Sequence, residues 1–166
     1  MALMQVHGDW APMRDALEKI AAIGRSPQAT LEAIALELED NTRHRFTTNI
    51  APDGSPWAPL NSAYAVSRKP LPILVQSHQL SQQLPTEVRG HTIIIGSSVK
   101  YGGVHQFGAT IIPRTKKSLA FSMGGKMVHA RKVVIPARPF LGFGAEDREA
   151  VVEQLHLALE LAMRAR

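Results

Sequence analysis

The sequence predicts an α+β fold with N-terminal helices, an antiparallel β-sheet that carries a projecting basic β-hairpin, and a C-terminal helix. Apolar residues recur with a helical period at both ends of the chain and with a strand period in the middle. The charge changes at the same places: residues 54–145 carry a net charge of +10, residues 1–53 carry −3 and residues 146–166 carry −2. The chain has 166 residues, a length typical of one domain, and we expect that domain to span residues 1–166.

Two helices are predicted in the first third of the chain. The first spans residues 9–23, with Asp9 as its N-cap and Gly24 as its stop. Ser26 and Pro27 predict the start of the second, because serine caps helices and proline fits the first turn. The apolar face of this second helix comprises Leu31, Ile34, Ala35, Leu38, Thr42 and Phe46.

A loop over residues 49–60 follows, with the turn-forming run Pro52-Asp53-Gly54. Trp57 lies between Pro56 and Pro59, so its backbone is extended. Such a tryptophan either closes the core or anchors a partner, and the second alternative places Trp57 in a candidate interface. A short capped helix is predicted over residues 61–69.

The strands lie between residues 85 and 135. A hairpin is predicted over residues 86–95 around Gly90, and a strand over residues 109–113. A second hairpin turns at Gly124-Gly125. Residues 114–132, here called the arm, are predicted to project and to contact a neighbour through Arg114, Lys116, Lys117, Arg131 and Lys132.

The C-terminal helix is predicted from Ala145 to the end. Glu146 and Asp147 near its start and Arg164 near its end complement the helix dipole. Its apolar stripe comprises Val151, Val152, Leu155, Ala158, Leu159, Ala162 and Met163.

Two further segments are predicted to hold each other in place. The glycine-rich loop, residues 96–108, contains a short helical repeat that would pack Tyr101 and Phe107 inward. The strap, residues 135–142, contains Pro136 and Pro139, which favour an extended backbone. We expect a structural loop–strap unit made of Tyr101, His105, Phe107, Arg138 and Phe140.

No pattern in the sequence supports catalysis. The chain has no cysteine, so thiolate chemistry and Cys-based zinc sites are excluded. None of the seven histidines lies two or four residues from another histidine, and phosphate-binding and nucleophile-elbow motifs are missing. His105 is expected to be structural, bonded to loop carbonyls. We therefore predict no enzyme activity, no metal and no cofactor, and neither a signal peptide nor a membrane span.

An ordered set of short blocks resembles the phage virion morphogenesis family, the Mu-like gene G products related to tail completion proteins. The resemblance covers residue 29 to the carboxyl terminus, and one departure is His78-Gln79, where the family tends to have glycine before its leucine. The blocks are Phe46, Asp53-Gly54-x-Pro56-Trp57-x-Pro59-Leu60, Ile73-Leu74-x-x-Ser77-x-x-Leu80, Ile95-Gly96-Ser97, Tyr101, His105-Gln106-Phe107-Gly108 and Ile135-Pro-Ala-Arg-Pro-Phe-Leu-Gly142.

This resemblance implies a structural protein of the head–tail junction that completes the tail or neck so that capsid and tail join. It implies assembly into a ring of copies, commonly a hexamer, around the DNA channel. The partners would be neighbouring neck, tail terminator or tail tube proteins. The protein would act in the virion, after assembly in the bacterial host cytoplasm. Charge segregation along the chain agrees with a ring, since head-to-tail contacts need two different faces.

Two other functions are compatible with the residues. The basic middle of the chain could bind DNA without sequence specificity, through the phosphates. A hydrolase built on His105 is the weaker alternative, because Glu87 is the only acid between residues 54 and 145.

Overall fold

A computed structural model describes residues 10–68, 70–123 and 125–164. The helices are α1 (Ala11–Arg25), α2 (Gln28–Thr48), α3 (Ser62–Ser67), α4 (Gln79–Gln82), α5 (Gly102–Phe107) and α6 (Ala145–Arg164). The strands are β1 (Thr86–Arg89), β2 (Thr92–Ile95), β3 (Ala109–Ile111), β4 (Leu119–Met123), β5 (Lys126–Ala130) and β6 (Val133–Ile135). These elements confirm the α+β class, with helices at both ends and antiparallel strands between them.

The junction between α1 and α2 differs from the prediction. Gly24 lies inside α1, and the backbone N–H of Ser26 bonds to the carbonyl of Ala22, so Ser26 ends the first helix. Pro27 takes the N-cap position of α2 with no side-chain cap. Pro27, and not Ser26, therefore precedes the first helical residue of α2. Asp9, the predicted cap of α1, lies outside the described residues.

The described strands pair as three separate two-stranded antiparallel sheets, not as the single sheet that the sequence predicts. β1 pairs with β2, β4 with β5, and β3 with β6, where Ala109 lies opposite Ile135. Pro113 follows β3 and has no backbone donor to continue a ladder. The residues between β3 and β6 therefore form a separate hairpin, in which β4 pairs with β5.

The core is an aromatic cluster between α2, the loop of residues 49–60 and the strap. The Phe46 ring contacts the rings of Trp57 and Phe140, at centroid distances of 5.5 and 5.3 Å. Smaller apolar side chains surround them: Ala51, Val75, Leu80 and Leu84. Full burial of each large side chain contributes about 1.5–3 kcal/mol, so this cluster holds the strap against α2.

The terminal helices are less buried than their apolar stripes predict. α1 contacts α6 but has no buried residue, and its apolar side chains Trp10, Met13, Leu17 and Ile20 are all exposed. In α6, the predicted stripe is only half-buried, and Val152, Leu155 and Met163 face solvent. α2 covers one side of α6 and α1 covers another, which leaves part of the apolar surface of α6 open.

Candidate functional site

The strap is tied to the two long helices by a buried ion pair. Arg45 of α2 and Asp147 of α6 are 3% and 1% exposed, and Arg45 Nη2 donates to Asp147 Oδ2. Arg45 Nη1 donates to the carbonyls of Phe140 and Gly142, at 3.0 and 3.1 Å. The backbone N–H of Gly144 donates to the same Asp147 oxygen at 2.6 Å. These extra bonds compensate the desolvation that makes buried ion pairs costly.

Gln106 of α5 joins the glycine-rich loop to the strap. Its Oε1 accepts hydrogen bonds from the backbone N–H groups of Phe140 and Leu141, both at 3.0 Å. Its Nε2 donates to the Leu141 carbonyl at 2.7 Å. One amide side chain thus satisfies three backbone groups of Phe140 and Leu141, which lie beyond the end of β6 and pair with no described strand.

Arg138 and Trp57 join the strap to the loop of residues 49–60. Arg138 donates from Nε to the Ala58 carbonyl at 2.7 Å and from Nη2 to the Pro59 carbonyl at 2.9 Å. In return, Trp57 Nε1 donates to the Pro139 carbonyl at 2.7 Å. Trp57 is 5% exposed, so it closes the core, and an interface role would require its removal from that core.

The predicted loop–strap residues fall into two groups. Arg138 and Phe140 are buried in the strap, as a structural role requires. Tyr101 is 40% exposed and Phe107 is 81% exposed, so the expectation that both pack inward is not met. α5 has less than two turns, and its inward side carries Gly102 and Gln106. A Cβ on Gly102 would lie 2.9 Å from Ser97 Oγ, which shows how close this side approaches its neighbours.

His105 is half-buried beside Tyr101, with ring centroids 5.8 Å apart. Its Nδ1 is buried and has no hydrogen-bond partner, contrary to the expected bond to a loop carbonyl. Burial, with a smaller contribution from the positive charge of Arg138, lowers the pKa of His105. Burial also lowers the pKa of Arg138. The backbone carbonyl of His105, in contrast, accepts from Arg138 N at 2.7 Å.

The arm has a different character. β4 and β5 form its hairpin, and β4 contacts α3. The five basic side chains predicted to contact a neighbour are all exposed, and none forms an ion pair within the described part of the chain: Arg114, Lys116, Lys117, Arg131 and Lys132. β4 and β5 are thus paired, whereas a basic arm that projects toward a neighbour stays a prediction.

Three functional side chains were missed by sequence reasoning. Arg45 lies three residues after Thr42 on the buried face of α2, and that spacing was the available signal. Gln106 lies between His105 and Phe107 in the His-Gln-Phe-Gly block, and no pattern in the sequence distinguishes it. Asp147 was expected to complement the dipole of the C-terminal helix, whereas in the structure it pairs with the buried Arg45. Only the contact between distant segments reveals all three.

Within residues 10–68, 70–123 and 125–164, no cluster of histidine, aspartate and glutamate side chains has the arrangement to hold a metal ion. In the same residues, no helix combines the length and the apolar character needed to cross a membrane.

Comparisons with known proteins agree with the blocks noted in the sequence. The model of the phage virion morphogenesis family matches residues 8–160. Tail completion protein S of Escherichia phage P2 is 29% identical over 148 residues, which cover 85% of this chain and 90% of that protein. The Mu-like prophage FluMu G protein 2 of Haemophilus influenzae is 26% identical over 149 residues, 90% of either chain. No solved structure gives a significant match. The chain belongs to the phage virion morphogenesis family.

Proposed function

We propose that this protein is a non-enzymatic structural component of a phage tail, which assembles head-to-tail with copies of itself into a ring at the head–tail junction. The ring would finish the tail or neck so that capsid and tail join. Neighbouring neck, tail terminator or tail tube proteins would contact its two faces. The structural role in the tail rests on the family and on a relative named as a tail completion protein.

The observation that carries the ring is the separation of opposite charges on exposed elements. Exposed basic side chains that form no ion pair among the described residues cluster in the arm, whereas exposed acids lie on α1, α2 and α6 and outnumber the exposed bases of α2 and α6. A closed ring needs two different and complementary faces on each subunit, and this separation supplies them. The exposed acids are Asp15 and Glu18 on α1, Glu32, Glu37 and Asp40 on α2, and Glu146, Glu149, Glu153 and Glu160 on α6.

Apolar surface supports the same proposal. The exposed side chains on α1 recur every three or four residues along one side of the helix: Trp10, Met13, Leu17 and Ile20. Exposed apolar side chains that line up in this way mark interaction surfaces more often than scattered ones do. In a ring, a neighbouring subunit would cover this stripe.

Charge reversal in the arm tests the proposal. We expect Arg114→Glu/Lys117→Glu to remain folded but to lose the ring, because like charges would then face each other between subunits. The matched control is Arg89→Glu/Lys100→Glu, which reverses two exposed bases outside the arm and the long helices and should leave the ring intact. Electron microscopy and native mass spectrometry of the purified chains measure assembly, and joining of heads to tails measures function. A folded arm variant that still forms rings and joins particles contradicts the role of the arm.

Sequence-independent DNA binding is a second candidate, favoured because the five basic side chains of the arm form no ion pair with any residue that the structure describes. Phosphate contacts release counterions, so affinity for duplex DNA should fall steeply with salt. Fluorescence anisotropy of a labelled duplex at several salt concentrations measures the slope. If Arg114 and Lys117 each contact a phosphate, their double variant should reduce the slope by about 2. A chain that forms rings but shows no such binding would leave assembly as the function.

A further inference from the structure

A cavity of about 620 Å³ lies between α3, the segment before α4, α5 and the strap. Three of its walls are apolar side chains: Leu60, Leu74 and Ile135. The remaining lining residues are polar: Tyr64, Arg68, Gln76, Ser77, Tyr101, His105 and Arg138. The assembly contacts proposed above do not involve this cavity.

Two buried polar atoms of this lining, Arg68 Nε and His105 Nδ1, have no hydrogen-bond partner among the residues that the structure describes. Other polar atoms around them are satisfied within the chain. Arg68 Nη2 donates to the Pro72 carbonyl at 3.1 Å, and the Tyr64 hydroxyl donates to Gln76 Oε1 at 2.7 Å. Leaving a buried polar group without a partner costs about 1–3 kcal/mol, more when the group is charged. Both atoms belong to residues that line the same cavity, where a group from outside the chain would supply the missing partner.

The charge of the lining shows what kind of group fits. Arg68 and Arg138 are cationic, and no carboxylate lines the cavity among the described residues. Glu87, the sole acid between residues 54 and 145, already pairs with Arg89 at 2.8 Å on β1. No acid from this central region is therefore left for the two guanidinium groups. An anion from outside would satisfy the Arg68 donor and balance the charge.

We propose that the cavity binds a carboxylate on a short aliphatic stem. The carboxylate would accept hydrogen bonds from Arg68 Nε and from a protonated His105 Nδ1, and the stem would contact Leu60, Leu74 and Ile135. Acidic side chains of another polypeptide and small free carboxylic acids share this chemistry. A phosphate brings no comparable apolar stem, so the apolar walls favour a carboxylate.

The pKa of His105 reports whether a carboxylate is bound. Its surroundings are Arg138 of the strap, Tyr101 just before α5, Tyr64 of α3 and Arg68 just after α3, so every charged group that lines the cavity with it is cationic. A bound carboxylate would oppose the positive charge of Arg138 and would raise the pKa of His105 toward its ordinary value. His129, exposed on β5, is an internal reference in the same molecule.

The test is a titration of the full chain followed by nuclear magnetic resonance of the histidine rings at constant ionic strength. The probes are sodium propionate and the α-amide of N-acetylglutamate, whose one charge is the side-chain carboxylate. The controls are the α-amide of N-acetylglutamine and sodium phosphate. We expect a saturable shift of His105, with an increase in its pKa, for at least one carboxylate. We expect no saturable shift of His129 and none of His105 with the glutamine compound.

Each outcome decides the proposal or identifies the source of the carboxylate. Saturation by the glutamate compound supports an acidic side chain of a partner, and saturation by propionate alone supports a small free acid. Shifts that do not saturate, that His129 shares, or that phosphate produces at equal concentration overturn the proposal.

A variant adds a second measurement. Arg68→Gln should weaken carboxylate binding at least about tenfold, because it removes a charged donor. Lys117→Gln, which removes one exposed cation from the arm, should leave the affinity unchanged. Equal affinity in a folded Arg68→Gln chain would also overturn the proposal, and the titration of the unaltered chain decides it should that variant fail to fold.

Discussion

The arm connects β3 to β6, and the strap begins at the end of β6. The polar side chains of these two neighbouring segments nevertheless have opposite roles. In and around the strap, the polar groups of Arg45, Gln106 and Arg138 bond to backbone carbonyls and N–H groups inside the protein. In the arm, Arg114, Lys117 and the other basic side chains form no ion pair among the described residues. Charge that is satisfied internally stabilises the fold, whereas exposed charge is available for partners.

This difference predicts which substitutions affect stability and which affect assembly. Substitutions around the strap should lower the free energy of unfolding, because they leave buried groups without partners. Substitutions in the arm should change contacts with other molecules and leave stability nearly unaltered.

The largest effect is expected for Asp147→Ala, which leaves Arg45 buried without its counter-charge. Loss of one partner of a buried ion pair costs about 3–5 kcal/mol. Urea unfolding at pH 7 measures the change. The double variant Arg45→Met/Asp147→Ala should recover part of the loss, since no unpaired charge remains. A loss below about 1 kcal/mol for Asp147→Ala would show that the ion pair does not hold the strap.

Gln106→Ala should come next, at about 2–3 kcal/mol, because it leaves the N–H groups of Phe140 and Leu141 without an acceptor. The adjacent Phe107→Ala is the matched control. Phe107 is 81% exposed, and its loss should change stability by less than about 0.5 kcal/mol. Equal effects at both positions would contradict the assignment of Gln106, and not Phe107, as the structural residue of α5.

A smaller effect should appear in the pH dependence of stability. Burial and the charge of Arg138 lower the pKa of folded His105 below its ordinary value of 6.5. The unfolded chain therefore binds a proton first as the pH falls, so stability decreases from pH 6.5 down to the folded pKa and is constant below it. Urea unfolding between pH 5 and pH 8 should show a flatter profile for His105→Gln than for the parent chain. The exposed His129→Gln should follow the parent profile.

The smallest effect is expected for Arg114→Glu/Lys117→Glu, whose free energy of unfolding should lie within about 0.5 kcal/mol of the parent chain. Thermal unfolding of the same preparations used for electron microscopy measures it. Destabilisation by more than 2 kcal/mol would mean that the arm, like the strap, holds the fold, and loss of the ring in that variant could then not be assigned to an interface.

Sequence reasoning was most successful where the structure depends on neighbouring residues. The hairpin of β1 and β2 and the cap of α3 follow local turn and capping chemistry, and Asn61 Oδ1 accepts from the N–H of Ala63 at 3.0 Å as a cap does. His78 is instructive, because it adopts a φ of 57° at the place where the resemblance suggested a glycine. Histidine enters this left-handed region more readily than most residues, so the departure from the family pattern preserves the turn.

The sequence alone determined the α+β class, most element positions and the family, because period, turn chemistry and charge are local or additive properties of the chain. The tertiary structure decided the division of the strands into three sheets, the burial of Trp57 and the exposure of Phe107. It also decided the pairing of Arg45 with Asp147, 102 residues apart in the chain. Each of these depends on which distant segment occupies the neighbouring volume, and a polar residue becomes structural only when such a segment supplies its partner.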